Sequence, residues 1–139
     1  GALGAKAKRD AQGNYLEVFS FVRSTCLLAA IAGNAQPIDA VYVDIKNQEG
    51  LAQECKAAAD MGYTGKVTIH PSQIEIVNAA FTPSSAEIEE ASELIAAFEE
   101  NQKHGKMAFK FKGQMVDVPH LQHAKKVLLI AARIAKEIN

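Results

Sequence analysis

Two short runs of β-branched and aromatic residues, one on each side of a helical segment, restrict the fold more than any other feature of the sequence. The runs are Ile38–Asp44 and Lys66–His70, and a proline adjoins each of them. Between them, over residues 50–61, small and apolar residues recur at helical spacing, and Gly62 follows as a C-cap. Strand, helix and strand joined by short connections predict a βαβ unit, and therefore an α/β fold with a parallel sheet.

One βαβ unit supplies only two parallel strands, and two such strands are not stable as a sheet of their own. Both runs are apolar enough to be central strands that are covered on two faces. Their neighbours must come from sequence outside this chain, from a different chain or from an oligomer, and we favour sequence outside this chain. The first residue is Gly1 rather than methionine, which also predicts a processed or shortened chain.

The other segments predict helices and one hairpin. Ser84, with Glu87 three residues later, forms a capping box for a helix that runs to about Asn101. Apolar and polar residues alternate over Ala108–Val116 around a Lys-Gly pair, which predicts a β-hairpin. Further helices are predicted over residues 15–32, 73–78 and 119–137.

Composition and charge exclude several classes of partner. The chain has 139 residues, with 15 Lys and Arg against 16 Asp and Glu. This balance gives no electrostatic reason to bind nucleic acid or an anionic membrane, and no apolar stretch is long enough to span a bilayer. Cys26 and Cys55 both lie in apolar helical patterns, which predicts buried thiols in a reducing compartment such as the cytoplasm.

Several short strings follow one another in a characteristic order. They are Gly4-Ala5, Phe21-Val22-Arg23-Ser24, Ile38-Asp39-Ala40-Val41-Tyr42-Val43-Asp44-Ile45-Lys46, Gly62-Tyr63-Thr64-Gly65-Lys66, Ile69-His70-Pro71-Ser72-Gln73 and Gly113-Gln114-Met115-Val116-Asp117. With this set the chain resembles the CitE-like branch of the HpcH/HpaI aldolase superfamily, which includes citrate lyase beta subunits, malyl-CoA lyases and citramalyl-CoA lyases. The resemblance covers essentially the whole chain.

The resemblance implies the C-terminal part of a TIM (β/α)8 barrel, followed by a small α+β lid domain. Residues 1–82 would be the barrel portion, with Ile38–Asp44 and Lys66–His70 as the last two barrel strands. Residues 83–139 would be the lid, with the hairpin and the final helix. In the family the metal-binding Glu and Asp, and the Arg that holds the substrate carboxylate, lie on earlier strands, so no metal ligand is assigned to this chain.

The resemblance also implies a Mg²⁺-dependent carbon–carbon lyase. Its reaction would be the reversible retro-Claisen cleavage of a 3-hydroxy-acyl-CoA, of the malyl-CoA or citramalyl-CoA type, to a CoA thioester and a 2-oxo acid. The implied assembly is a homo-oligomer, a trimer or a hexamer, whose lid acts in a neighbouring subunit. Two alternatives stay open, namely a malyl-CoA-type thioesterase and a half-barrel that is inactive without its N-terminal part.

Asp117 is the predicted catalytic residue. In malyl-CoA-type lyases, which the string Gly113–Asp117 resembles, an Asp at this place handles the proton at the α-carbon of the thioester. A carboxylate is suited to general acid–base work of this kind. Without the resemblance, an Asp two residues before Pro119 more often caps the following helix.

The predicted substrate and CoA contacts come directly after the two strand runs. They are Asp44, His70, Pro71, Ser72 and Gln73. They would lie at the mouth of the barrel, where loops after the last strands commonly meet phosphate groups. His70 is equally suited to a structural hydrogen bond, and Asp44 is equally suited to capping the loop that follows it. Asn47 stands where the family often has a second acid, which removes one charge from the mouth.

Four other residues are assigned structural roles. His120 and His123 stand three apart on a predicted helix, but the sequence offers no third ligand nearby, so a solvated helix face is favoured over a metal site. Arg23 and Lys66 are predicted to be structural ion-pair partners rather than substrate contacts.

Overall fold

The structure is a computed structural model that describes residues 4–137, with side chains through residue 136. The chain forms two compact units, of which one ends at Phe81 and the other begins at Thr82. The first unit contains α1 (Glu17–Ala32), β1 (Ile38–Asp39), α2 (Gln48–Met61), β2 (Gly65–Lys66), a 3₁₀ turn (Pro71–Gln73) and α3 (Ile74–Phe81). The second contains α4 (Ser85–Lys103), β3 (Phe109–Phe111), β4 (Gln114–Val116) and α5 (Val118–Glu137).

β1 and β2 form the parallel pair predicted for the βαβ unit, with Asp39 opposite Lys66. Each strand has two residues, so the predicted strands Ile38–Asp44 and Lys66–His70 are too long. The reason is that a strand is defined by backbone hydrogen bonds to a neighbour, and within residues 4–137 this sheet holds only β1 and β2. Val43, in the loop after β1, is 73% exposed, so this part of the predicted strand is not buried.

α2 has a cap at each end. The Asn47 side-chain oxygen accepts the Gly50 N–H at 2.8 Å. At the other end Gly62 has a φ of 110°, which confirms the predicted left-handed C-cap. On the inner face of α2, Cys55 is completely buried and packs in one cluster with Val77 of α3. Because both ends are capped, the length of α2 is determined by its own sequence.

α1 is less buried than its apolar pattern predicts. Leu27 is the buried residue of this helix, whereas Phe21 and Leu28 are 70% and 66% exposed. Cys26 is exposed as well, so the predicted buried thiol is confirmed for Cys55 and wrong for Cys26. The physical reason is that α1 contacts its unit through Arg23, which bonds to Asp39, and through Leu27, one turn later, which packs with Ala58 and Tyr63. The apolar side chains on the other faces of the helix stay exposed.

The second unit is organised around the fully buried Phe98. Its ring packs with Val116 and lies edge-to-face with Phe109, with the ring centroids 4.7 Å apart. β3 and β4 confirm the predicted hairpin. Lys112 and Gly113 in its turn have φ values of 45° and 90°, and two positive φ values are what a type I′ turn requires.

Ser84→Ala is expected to lower the free energy of unfolding by about 1 kcal/mol. The Ser84 hydroxyl accepts the Glu87 N–H at 3.2 Å and the Glu87 carboxylate accepts the Ser84 N–H at 2.8 Å, as the predicted capping box requires. Ser92→Ala is the matched control, because the Ser92 hydroxyl only donates to the Ile88 carbonyl within the same helix. Urea unfolding measures both variants, and equal losses of stability would contradict the capping role.

Candidate active-site segments

The loop after β2 is a closed turn that begins at His70. The imidazole Nδ1 accepts the Ser72 N–H at 3.2 Å and lies 2.8 Å from the Ser72 hydroxyl, and the His70 carbonyl accepts the Gln73 N–H at 3.0 Å. In a neutral ring this arrangement puts the proton on Nε2. His70, Pro71 and Ser72 are all exposed. The turn therefore presents an imidazole N–H donor at the surface of the first unit.

Gln73 differs from its neighbours in the turn because it is only 2% exposed. Its side-chain oxygen accepts the Ile69 N–H at 2.9 Å, and its side-chain nitrogen donates to the Tyr42 carbonyl at 2.8 Å. Both ends of the amide are therefore bonded to backbone. The predicted contact between Gln73 and substrate stays a prediction, and no pattern in the sequence pointed to these backbone bonds.

Asp44 lies in the loop between β1 and α2, and it is exposed. Its carbonyl accepts the Asn47 N–H at 3.1 Å. Asn47, at the position where the family often has an acid, is the residue that caps α2. The loop is thus ordered by backbone bonds and by Asn47. The predicted role of Asp44 toward substrate stays a prediction.

Asp117 belongs to the second unit, between β4 and α5, and its side chain is 53% exposed. One carboxylate oxygen lies 2.6 Å from Nδ1 of His120, and the Asp117 carbonyl accepts the His120 N–H at 3.1 Å. Sequence reasoning missed this pair, although an Asp and a His three residues apart at a helix start can meet.

His120 and His123 are both exposed, and within residues 4–137 no group of three or more His, Cys, Asp or Glu could hold a metal ion.

A cluster of charged residues is centred on Asp39 of β1 and Lys66 of β2, and sequence reasoning identified only part of it. The cluster consists of Arg9, Arg23, Asp39, Glu54 and Lys66. Arg23 donates two hydrogen bonds to Asp39, at 3.0 and 2.8 Å. The Lys66 ammonium lies between Asp39 at 2.8 Å and Glu54 at 2.6 Å, and Arg9 pairs with Glu54. The predicted ion-pair roles of Arg23 and Lys66 are confirmed.

The two acids of this cluster are held in their charged form. Burial by itself raises the pKa of Asp39, but hydrogen bonds from Arg23 and Lys66 outweigh burial, so the pKa is lowered from its ordinary value. Glu54 behaves in the same way, with burial opposed by Lys66 and then Arg9, and its pKa is lowered. Tyr15 donates to Glu54 at 3.0 Å, and burial followed by the charge of Glu54 raises the Tyr15 pKa to about 12.

The family of the chain follows from a family model described as a C–C bond lyase of the TIM-barrel fold, which matches residues 14–134. The chain therefore belongs to this family of C–C bond lyases, and the resemblance that its sequence strings indicated is confirmed. The mixed helices and parallel strands of the first unit agree with an α/β fold of this family.

Among individual relatives, the mitochondrial citramalyl-CoA lyase of Mus musculus is 40% identical over 136 residues, which are 98% of this chain and 39% of that protein. A (3S)-malyl-CoA thioesterase of Cereibacter sphaeroides is 47% identical over 110 residues, 79% of this chain and 39% of that protein. CitE of Mycobacterium tuberculosis, solved in complex with magnesium, acetoacetate and coenzyme A, matches with a TM-score of 0.81 and 43% identity over 94% of this chain and 47% of that chain. The chain thus spans less than half the length of these relatives.

None of the helices described over residues 4–137 is both long and apolar enough to cross a membrane.

Proposed function

We propose that the intact protein is a Mg²⁺-dependent lyase that cleaves a 3-hydroxy-acyl-CoA to a CoA thioester and a 2-oxo acid. The observation that carries this proposal is the similarity to CitE of Mycobacterium tuberculosis, whose structure holds magnesium, acetoacetate and coenzyme A. The 40% identity to the citramalyl-CoA lyase of Mus musculus supports the same reaction class. Malyl-CoA and citramalyl-CoA are the substrates that we would test first.

Within that enzyme, residues 1–82 would supply the last two barrel strands and residues 83–139 the lid. The exposed apolar side chains beside β1 and β2 support the first assignment, since Ile38 and Val67 are 45% and 48% exposed. Central strands of a parallel sheet bury such side chains on both faces. The boundary between the two compact units, at Phe81 and Thr82, is consistent with a barrel portion and a lid that pack independently.

The magnesium ion would be held by residues outside the described part of this chain. Residues 4–137 contain no group of three or more His, Cys, Asp or Glu that could bind it. Asp44 is exposed in the loop after β1, and Asn47, at the position where the family often has a second acid, caps α2.

Asp117 would perform the proton transfer. In cleavage, the hydroxyl loses its proton to water as the bond between the α-carbon and the hydroxyl-bearing carbon breaks, and the hydroxyl-bearing carbon becomes the carbonyl of the 2-oxo acid. The α-carbon takes a proton from Asp117, which regains one from water. In the condensing direction Asp117 removes that proton. Its side chain is 53% exposed within its own unit, which suits a group that works against a neighbouring subunit of a homo-oligomer, a trimer or a hexamer.

The loop after β2 and Asp44 would line the thioester and CoA site. The Nε2–H of a neutral His70 is a donor suited to a thioester carbonyl or a phosphate oxygen. The Ser72 backbone N–H, which donates to Nδ1 at 3.2 Å, keeps the ring in that tautomer. We place the enzyme in a reducing compartment such as the cytoplasm, because Cys26 and Cys55 of this chain are free thiols. The relative from Mus musculus is mitochondrial by name.

The second candidate function is hydrolysis of malyl-CoA, which is favoured by the 47% identity to the Cereibacter sphaeroides thioesterase. Incubation of the intact protein with malyl-CoA and Mg²⁺, followed by product analysis, separates the two. Glyoxylate with acetyl-CoA is the expected result for a lyase, whereas free malate with CoA would establish a thioesterase. If neither product forms from malyl-CoA or citramalyl-CoA, the proposed function is wrong.

A further inference from the structure

The two strand segments diverge after one last direct backbone bond. The Asp39 carbonyl accepts the Val67 N–H at 3.0 Å, and beyond this point β1 and β2 end. Continued with the same offset that pairs Asp39 with Lys66, the register would place Tyr42 opposite Ile69. These are the two residues whose backbone groups are bonded to the side chain of Gln73.

The Gln73 amide therefore bridges the two segments beyond the end of the parallel ladder. A primary amide offers a carbonyl acceptor and two N–H donors, so one side chain can bond to a backbone N–H and a backbone carbonyl at once. In Gln73 the oxygen accepts the Ile69 N–H at 2.9 Å and the nitrogen donates to the Tyr42 carbonyl at 2.8 Å, where β1 and β2 no longer pair directly. With 2% of the residue exposed, water does not replace these bonds.

This bridge connects the two segments that carry the candidate site. Gln73 ends the turn that His70 begins, and its N–H donates to the His70 carbonyl at 3.0 Å. Tyr42, on the other side of the bridge, lies two residues before Asp44. One side chain thus fixes the exposed turn of residues 70–72 against the loop that holds Asp44.

We propose that Gln73 is a positioning residue, which holds the ends of the two strand segments in register and thereby orients His70 and Ser72 toward the CoA thioester. The proposal rests on the proposed function for the identity of the ligand. It assigns Gln73 a task that acts through its neighbours, since neither end of its amide is directed to a ligand.

Gln73→Glu in the intact protein is the sharpest test. An ionised carboxylate at position 73 still accepts the Ile69 N–H, but it has no proton to donate to the Tyr42 carbonyl. The two oxygens then repel each other. A protonated carboxyl restores the donor, and burial favours protonation. We expect the KM for the CoA thioester to rise at least about tenfold at pH 8, with kcat within about threefold, and the ratio of variant to wild-type KM to fall toward one at pH 6.

Two further variants complete the series. Gln73→Met removes both bonds at similar size and should raise KM at every pH, without recovery. Gln53→Glu makes the same chemical change at an exposed site on α2 and should leave KM unchanged. Unchanged KM in both Gln73 variants, or a Gln73→Glu ratio that does not respond to pH, would overturn the positioning role. If Gln73→Met does not fold, the pH series of Gln73→Glu decides.

Amide hydrogen exchange separates this inference from the proposed function. The Ile69 N–H should exchange at least about tenfold faster in Gln73→Met, or in Gln73→Glu at pH 8, relative to wild type and to Gln53→Glu. Equal protection of Ile69 in all proteins would overturn the bridge even if the enzyme is active. Fast Ile69 exchange in the Gln73 variants would support the bridge even if the wild-type protein turned over no CoA thioester, a result that would refute only the proposed function.

Discussion

Asp117→Asn is expected to lower kcat for cleavage of malyl-CoA or citramalyl-CoA by about a thousandfold, with KM within about threefold of wild type. The amide keeps the size and polarity of the side chain, but it has no proton of suitable acidity to give to the α-carbon and cannot take one back. Steady-state release of the 2-oxo acid by the intact protein measures the loss. Exchange of the α-protons of the product thioester with deuterated water should fall in parallel, because it uses the same proton transfer.

Asp60→Asn is the matched control for this prediction. Asp60 is an exposed carboxylate on α2 that pairs only with Lys56, at 2.9 Å, so its loss should leave kcat unchanged. If Asp117→Asn retained more than a tenth of wild-type kcat, Asp117 would not be the proton donor. Its contact with His120 would then be a local feature of the start of α5.

Asp39→Asn is expected to lower the free energy of unfolding by about 3–5 kcal/mol. Asp39 is 1% exposed and faces both the half-buried Arg23 and the buried Lys66. Loss of its charge leaves the three cations of the cluster with one acid, Glu54. Urea unfolding of the intact protein measures the change. Asp60→Asn serves again as control and should cost less than about 0.5 kcal/mol, since an exposed ion pair contributes little.

The order of two variants tests this charge argument more sharply. Among the described residues, the cluster has three cations and two acids, so Lys66→Met leaves two of each and should destabilise less than Asp39→Asn. The opposite order would mean that the surplus positive charge is balanced by a group outside this cluster.

Asp39 should make the free energy of unfolding sensitive to acid. Its pKa is lower in the folded than in the unfolded chain, so its contribution to stability is complete above the unfolded value near 4 and is lost as pH falls through the folded value. Wild-type stability should therefore fall below about pH 4, and Asp39→Asn should show a shallower decline over the same range. Equal slopes would show that the lowered pKa does not contribute.

Much of the local structure could be predicted because its causes lie within a few residues. The capping box of Ser84 and Glu87, the left-handed Gly62 and the Lys-Gly hairpin turn are confirmed. In each case the hydrogen bonds or the φ preference involve residues at most four apart, so no distant partner can override them. The parallel pairing of the two strand runs was also predictable, since a short helical crossover allows no other sheet.

The strand lengths and the burial of α1 were not predictable in this way. Residues 40–43 have apolar side chains, three of which favour strands, but strand structure needs a neighbour that the described residues do not supply. Cys26 lies in an apolar helical pattern and is still exposed. Such a pattern predicts which helix face can be buried, but it does not identify the element that would cover that face.

The sequence by itself determined the family, the βαβ unit and the local caps of this protein, because short-range bonds and ordered motifs carry that information. Only the tertiary structure decided that Asp39, Glu54 and Lys66 form one buried ion-pair cluster. The bridge from the Gln73 amide to Tyr42 and Ile69 was likewise decided only there. Most of these contacts join residues 12 to 31 positions apart. A buried charge or amide selects its partner by desolvation and geometry, which exist only after the chain has folded.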